Sequence, residues 1–198
     1  MSININSNVN FKANFIMSTN IEKRSHFLGK KTLEKVAFVE FDKESVSDQE
    51  VLLKLCKKWQ PSYVEDIAFN FTTFWGKIAS VFFLTSQKND FENLSIDKIL
   101  GALAICPTGP NNICLDFLQV NPLYLNNKNN KSIPILNLFS KNYKYCGTSM
   151  LNCIKKLYPD KNIDTLPAYD TIDFYKKNGF IKKYINFSSY IFMAEKQD

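Results

Sequence analysis

Two β-prone runs on either side of a dense turn signal constrain this chain more than any other feature. Ile99-Leu100-Gly101-Ala102-Leu103-Ala104-Ile105 and Ile113 to Val120 are apolar stretches of strand length, separated by Pro107-Thr108-Gly109-Pro110-Asn111-Asn112. Pro and Gly at that density break regular structure, so the two runs read as a hairpin. Asn121-Pro122 ends its second strand, since proline cannot donate to the ladder.

The flanking sequence supplies the elements that cover it. Val36 to Phe41 predicts a first strand, and Lys77 to Gln87, rich in β-branched and aromatic residues, another. Ser47-Asp48-Gln49-Glu50 predicts a capped helix start with an acidic first turn. Val51, Leu52, Leu55, Cys56 and Trp59 follow at helical spacing, and Pro61 stops the helix. A further helical stretch is expected near Val64 to Phe71. Residues 123–143, with the polar run Asn126 to Lys131 and then Ile133-Pro134, read as a long excursion. Gly147 to Tyr158 has helical spacing (Met150, Leu151, Ile154, Leu157), and Pro159 lies just beyond its end. Thr171 to Asn178 is a second helix with Gly179 as its C-terminal cap. Ile181 to Ile185 and Ser188 to Ala194 close the chain as strands. Residues 1–32, rich in Ser, Asn and Lys, read as an N-terminal arm or loosely packed extension, and residues 33–198 as one domain. The fold class is α/β of the α+β type, around a mixed sheet.

A chain of 198 residues can bury roughly 70% of its unfolded surface without staples. With 45% hydrophobic residues, 6 Gly and 7 Pro, collagen-like, low-complexity and disordered classes are excluded. The apolar run Ile78 to Leu84 is far short of the ~20 residues that cross a bilayer, so no membrane span is expected. Cys56, Cys106, Cys114, Cys146 and Cys153 form an odd set without a close pair. No basic region followed by an apolar one opens the chain, so the expectation is a reducing, cytoplasmic setting. His26 is the single histidine, which leaves a zinc site or a Cys–His or Ser–His pair without support; no metal is expected. Chemistry therefore has to run on Tyr, Asp, Glu, Ser, Lys or backbone groups.

The net charge is +6, and 24 of the 25 basic residues are Lys, Arg24 being the exception. Such a surface attracts nucleic acid, phosphorylated cofactors or acidic partners, or is simply a solvated Lys-rich face. The near-absence of Arg speaks against reading of base edges.

The segment Lys144-Tyr145-Cys146-Gly147-Thr148-Ser149-Met150-Leu151 places a Gly and small polar residues at a helix start. Backbone N–H groups and the positive end of the helix dipole there suit a pyrophosphate; a plain helix cap has the same composition. About 25 residues on, Asp173-Phe174-Tyr175-Lys176-Lys177-Asn178-Gly179-Phe180 runs a short helix into a strand.

Together, in this order and spacing, the two segments resemble the GNAT superfamily of N-acetyltransferases. The family's acyl-CoA loop, Q/R-x-x-G-x-G/A, falls on Lys144, Gly147 and Ser149, with departures at its first and last positions. Its later segment, F-Y-x-K-x-G-F, is matched throughout by Phe174 to Phe180, and Leu118-Gln119-Val120-Asn121-Pro122 looks like the end of the family's fourth strand. The resemblance covers about residues 33–195, with specific matches within 113–181. Two departures stand out: the connection from Pro122 to Lys144 is long, and Ala168 stands where many members carry Asn.

The resemblance implies a mostly antiparallel sheet whose fourth and fifth strands splay to admit acetyl-CoA. Backbone groups of Leu118 and Val120 would bond the pantetheine arm, and amides of Cys146, Gly147, Thr148, Ser149 and Met150 the pyrophosphate, with Lys144 adding charge. A primary amine would attack the thioester directly. Tyr175 falls where the family places the general acid for the departing thiolate; a tyrosine at the core edge is the structural alternative. Asp116, with the same parity as Leu118 and Val120, is the candidate general base, or an exposed strand-face Asp. Two other readings stay open: a non-catalytic GNAT-fold protein binding acyl-CoA or a partner, and a basic nucleic-acid or membrane-surface module. The acceptor amine and a homodimer are equally open.

Overall fold

The computed structural model describes residues 13–24, 31–42, 45–59, 79–91, 93–122, 142–184 and 190–194, without the side chains of 46, 47, 56, 142 and 190. The stretch expected to be helical near 64–71, most of the excursion 123–143 and His26 lie outside these residues.

In chain order the strands are β1 (Asn14–Arg24), β2 (Lys31–Glu40), β3 (Ser80–Thr85), β4 (Ile99–Gly109), β5 (Asn112–Val120), β6 (Asn142–Lys144), β7 (Asn162–Thr165), β8 (Phe180–Tyr184) and β9 (Tyr190–Ala194). The α-helices are α1 (Val46–Trp59), α2 (Cys146–Leu157) and α3 (Ile172–Lys177). Short 3-10 turns at Ile96–Lys98 and Tyr169–Thr171 precede β4 and α3. The strands form one sheet in the order β6-β1-β2-β3-β4-β5-β7-β9-β8. Every pairing in it is antiparallel except β5 with β7. No helix of the described residues is long and apolar enough to cross a membrane.

The central strands are buried on both faces, so their sequences are continuously apolar instead of alternating with polar residues. Phe38, Phe82, Leu84, Leu100, Leu103 and Ile105 point into one core cluster, covered by Met150, Leu151, Cys153 and Ile154 of α2. Their neighbours Val39, Val81, Phe83, Ala102 and Ala104 point into a second cluster, covered by Val51, Leu52, Leu55 and Trp59 of α1. The period of two in the strands and the 3.6-residue period in the helices meet in this two-sided core.

Several expectations are corrected. Residues 14–24, read as part of an arm, are β1, paired with β2 along its length. Ile21 is 1% exposed within the first core cluster, so burial outweighs the polar composition around it. The cap of α1 is Ser45, two residues before the expected Ser47. Its Oγ accepts the Asp48 amide at 3.4 Å and donates to Asp48 Oδ1 at 3.2 Å, while Asp48 Oδ2 accepts the Asp42 amide at 2.8 Å. The hairpin turn is tighter than its composition suggests: β4 continues through Gly109, which pairs with Asn112.

Candidate functional site

The site is a place where the sheet comes apart. β5 and β7 pair at three positions only, Asn112 with Asn162, Ile113 with Ile163 and Cys114 with Asp164. β4 stays paired with β5 as far as Val120, while β7 turns to β9 at Asp164 and Thr165. Beyond Leu115, whose carbonyl accepts the Thr165 hydroxyl at 2.9 Å, the outer edge of β5 has no strand beside it among the described residues. With β1 and β6 left out of the count, these two strands are the fourth and fifth of the resemblance.

A bulge marks the parting. Ala104 pairs with Phe117 and Ile105 with Leu115, so Asp116 has no partner across the ladder. Alternation resets there: Ile113 and Leu115 before the bulge and Leu118 and Val120 after it all face the α2 side. Asp116 follows Cys114 instead, and its charge is felt by Cys106 and Cys114. The expected shared face with Leu118 and Val120 is therefore corrected: numerical parity fails across one extra residue, and exposed Asp116 lies on the opposite face.

Helix α2 starts beside the split. Tyr145, with φ 65° in the left-handed region, turns the chain into it, and no side chain caps the start. No acidic residue occupies the first turn. Ser149 N–H already bonds Tyr145 O at 2.8 Å, and the Ser149 hydroxyl donates to Asn20 O of β1 at 3.3 Å. The amides left by the helix geometry are those of Cys146, Gly147 and Thr148. Ser149 and Met150 belong to the helix ladder, which narrows the expected amide set. Met150 is 0% exposed and packs where Gly101 has no side chain. Lys144 ends β6 opposite Glu22 of β1. Arg24's hydrogen bond first, with weaker contributions from the charges of Arg24, Lys31 and Lys144, holds the Glu22 carboxyl below its usual value.

Gly147 joins the two sequence motifs. A Cβ there would stand 3.0 Å from Phe174 Cζ and 3.5 Å from Leu118 Cδ2, so the helix start lies directly on α3 and β5. Tyr175, the next residue of α3, is 7% exposed and wedged edge-on between Phe174 and Phe180, at centroid distances of 5.1 and 5.3 Å. Burial raises its pKa, opposed in part by a hydrogen bond with the Thr165 side chain. Beyond α3, Gly179 takes φ +76°, and Lys155 of α2 donates to Asn178 O at 2.8 Å. The later motif is thus a clamp that sets Tyr175 at the parting of β5 and β7.

The thiols nearby are not activated. Burial pushes Cys146 up to about 12, overriding its place at a helix start, and burial with the Asp164 and Asp116 charges pushes Cys114 up to about 11. Sequence reasoning missed Thr165, which links Tyr175 to the Leu115 carbonyl, and Asp164, whose Oδ1 is buried without a hydrogen-bond partner among the described residues and whose carboxyl is raised by burial. Both sit on β7, a four-residue strand too short to carry a periodic signal. Ala168 is exposed, and its carbonyl accepts the Thr171 hydroxyl at 2.8 Å.

No family model and no curated protein sequence matches the chain. Among solved structures, an acetyltransferase of the GNAT family from Desulfovibrio desulfuricans is 12% identical and covers 82% of this chain and 99% of its own, with a TM-score of 0.52. The catalytic domain of the Tetrahymena Gcn5 histone acetyltransferase, in complex with coenzyme A, is 12% identical over 82% of this chain and 93% of its own, with a TM-score of 0.47. A GNAT family acetyltransferase from Elizabethkingia anophelis with acetyl-CoA bound is 11% identical over 71% and 87%, with a TM-score of 0.42. The first of these is a likeness of fold across nearly the whole of the solved chain.

Proposed function

On the GNAT fold that this chain has, we propose that it is an acyltransferase, moving an acetyl group from acetyl-CoA to a primary amine by direct attack. The observation that carries the reading is the parting of β5 and β7 beside the uncapped start of α2. The residues present fit the donor. The Cys146, Gly147 and Thr148 amides meet no acidic side chain in the first turn, as a pyrophosphate requires. The edge of β5 at Leu118 and Val120, with no strand beside it among the described residues, offers backbone groups to the amide-bearing arm in the manner of an added strand. Lys144 contributes a point charge.

Acetyl-CoA supplies an activated thioester, so no enzyme nucleophile is needed, in keeping with thiols held protonated at neutral pH. Holding both substrates in register is worth ~7–11 kcal/mol. Tyr175, on the α2 side of the sheet, protonates the leaving thiolate. Asp116, on the other face, takes the amine's proton directly or through water. A base for the amine's proton and an acid for the departing thiolate are what acyl transfer to an amine asks for.

The test is calorimetric titration of acetyl-CoA into the full chain, beside Thr148→Glu. A carboxylate in the first turn favours the helix by ~0.3–1 kcal/mol, yet repels phosphate in the same place. Micromolar binding to the parent is expected, with a loss of about tenfold or more in a variant that melts no lower. No binding to the parent, or equal binding to both, would overturn the reading.

A further inference from the structure

Cys106 on β4 and Cys114 on β5 are partners in the antiparallel ladder. Residues so placed share a face, with Cα atoms ~4.5–5.5 Å apart, inside the ~4.4–6.8 Å that a disulfide spans. Both are free thiols, and both are half-buried, open to a small reagent. The other free thiols described, Cys146 and Cys153, are each 2% exposed. We propose that the facing pair is a modification site, at which hydrogen peroxide oxidises Cys106 and Cys114 to a cross-strand disulfide.

The chemistry closes without any other reagent. The Cys106 thiolate attacks one peroxide oxygen and the O–O bond breaks. The departing oxygen leaves as water once protonated, and Cys106 is left as a sulfenic acid. The Cys114 thiolate then attacks that sulfur, the S–O bond breaks, and hydroxide leaves and is protonated to a second water. Two thiols lose two electrons and the peroxide gains them. Burial raises both thiols, with Cys114 up to about 11, so thiolate is scarce at neutral pH and the reaction quickens as pH rises.

The bond would close at the last paired position before β5 and β7 part, next to the bulge at Asp116 and the Asp164 carboxylate. The inference concerns the ladder and stands apart from acetyl transfer.

No Lys or Arg lies between the two cysteines, so one tryptic peptide carries both. The folded full chain is treated with hydrogen peroxide at mildly alkaline pH, alkylated, digested without reductant and read by mass spectrometry. Expected is a peptide that has lost two hydrogens and takes up no alkyl group, restored by dithiothreitol and formed faster at higher pH. Cys106→Ser and Cys114→Ser each abolish that species, and Cys146→Ser retains it. Recovery of the peptide with both cysteines alkylated, or with separate sulfinic acids, would overturn the proposal. So would a bond from either cysteine to another thiol.

Discussion

Tyr175 is set by three aromatic and hydroxyl neighbours, Phe174, Phe180 and Thr165. An acid that must hold its proton until the thiolate departs gains from burial, which disfavours phenolate. The sign is clear: with its pKa raised, the phenol stays protonated through neutral pH, and turnover falls only above the ordinary tyrosine range near ~10. Tyr175→Phe is expected to lower kcat by ~10²–10⁴, to leave acetyl-CoA affinity unchanged and to erase that alkaline limb. A pH–rate profile of parent and variant checks all three, and equal turnover removes Tyr175 from the mechanism. The motif around this residue was legible in the sequence. Its partner Thr165 was not, because a hydroxyl reaching a strand distant in the chain leaves no local pattern.

At the scale of elements, α2 shows how one missing side chain joins three pieces. Gly147 lies at the helix start, on the Phe174 ring and against Leu118. Alanine there would gain ~0.5–1 kcal/mol of backbone entropy. It would also force a methyl to 3.0 Å from a ring already packed edge-on against Tyr175. Overpacking of that kind costs ~1–3 kcal/mol, so crowding wins. Gly147→Ala is expected to melt lower and to bind acetyl-CoA more weakly, whereas Thr148→Glu loses affinity alone. Thermal melts and titrations of the two variants side by side distinguish packing from charge. The helices themselves were readable from apolar spacing and from Pro and Gly at their ends. Their exact starts were not, since Ser45 caps α1 through a buried carboxylate, Asp48, that also holds the Asp42 amide.

Across the whole molecule, the sheet is sandwiched between two clusters, and β1 with β6 extends it past the expected boundary at residue 33. β1 is tied down through Ile21 in the core, through Asn20 O bonded to Ser149 and through its pairing with β6. Ile21→Ala is therefore expected to cost ~2–5 kcal/mol in urea unfolding with little change in slope, as for a core residue. A cost below ~0.5 kcal/mol, the level of a surface substitution, would return residues 14–24 to the status of an arm.

Strand length, helix spacing and turn chemistry are local, so the residues alone determined the hairpin, the two helices around the motifs and the order of the later elements. Register is not local. The bulge that turns Asp116 to the other face, the three-pair contact between β5 and β7, and the facing thiols all depend on which distant residue stands opposite which. Only the packed sheet decides that, because shifting a strand by one position exchanges its faces without altering its composition.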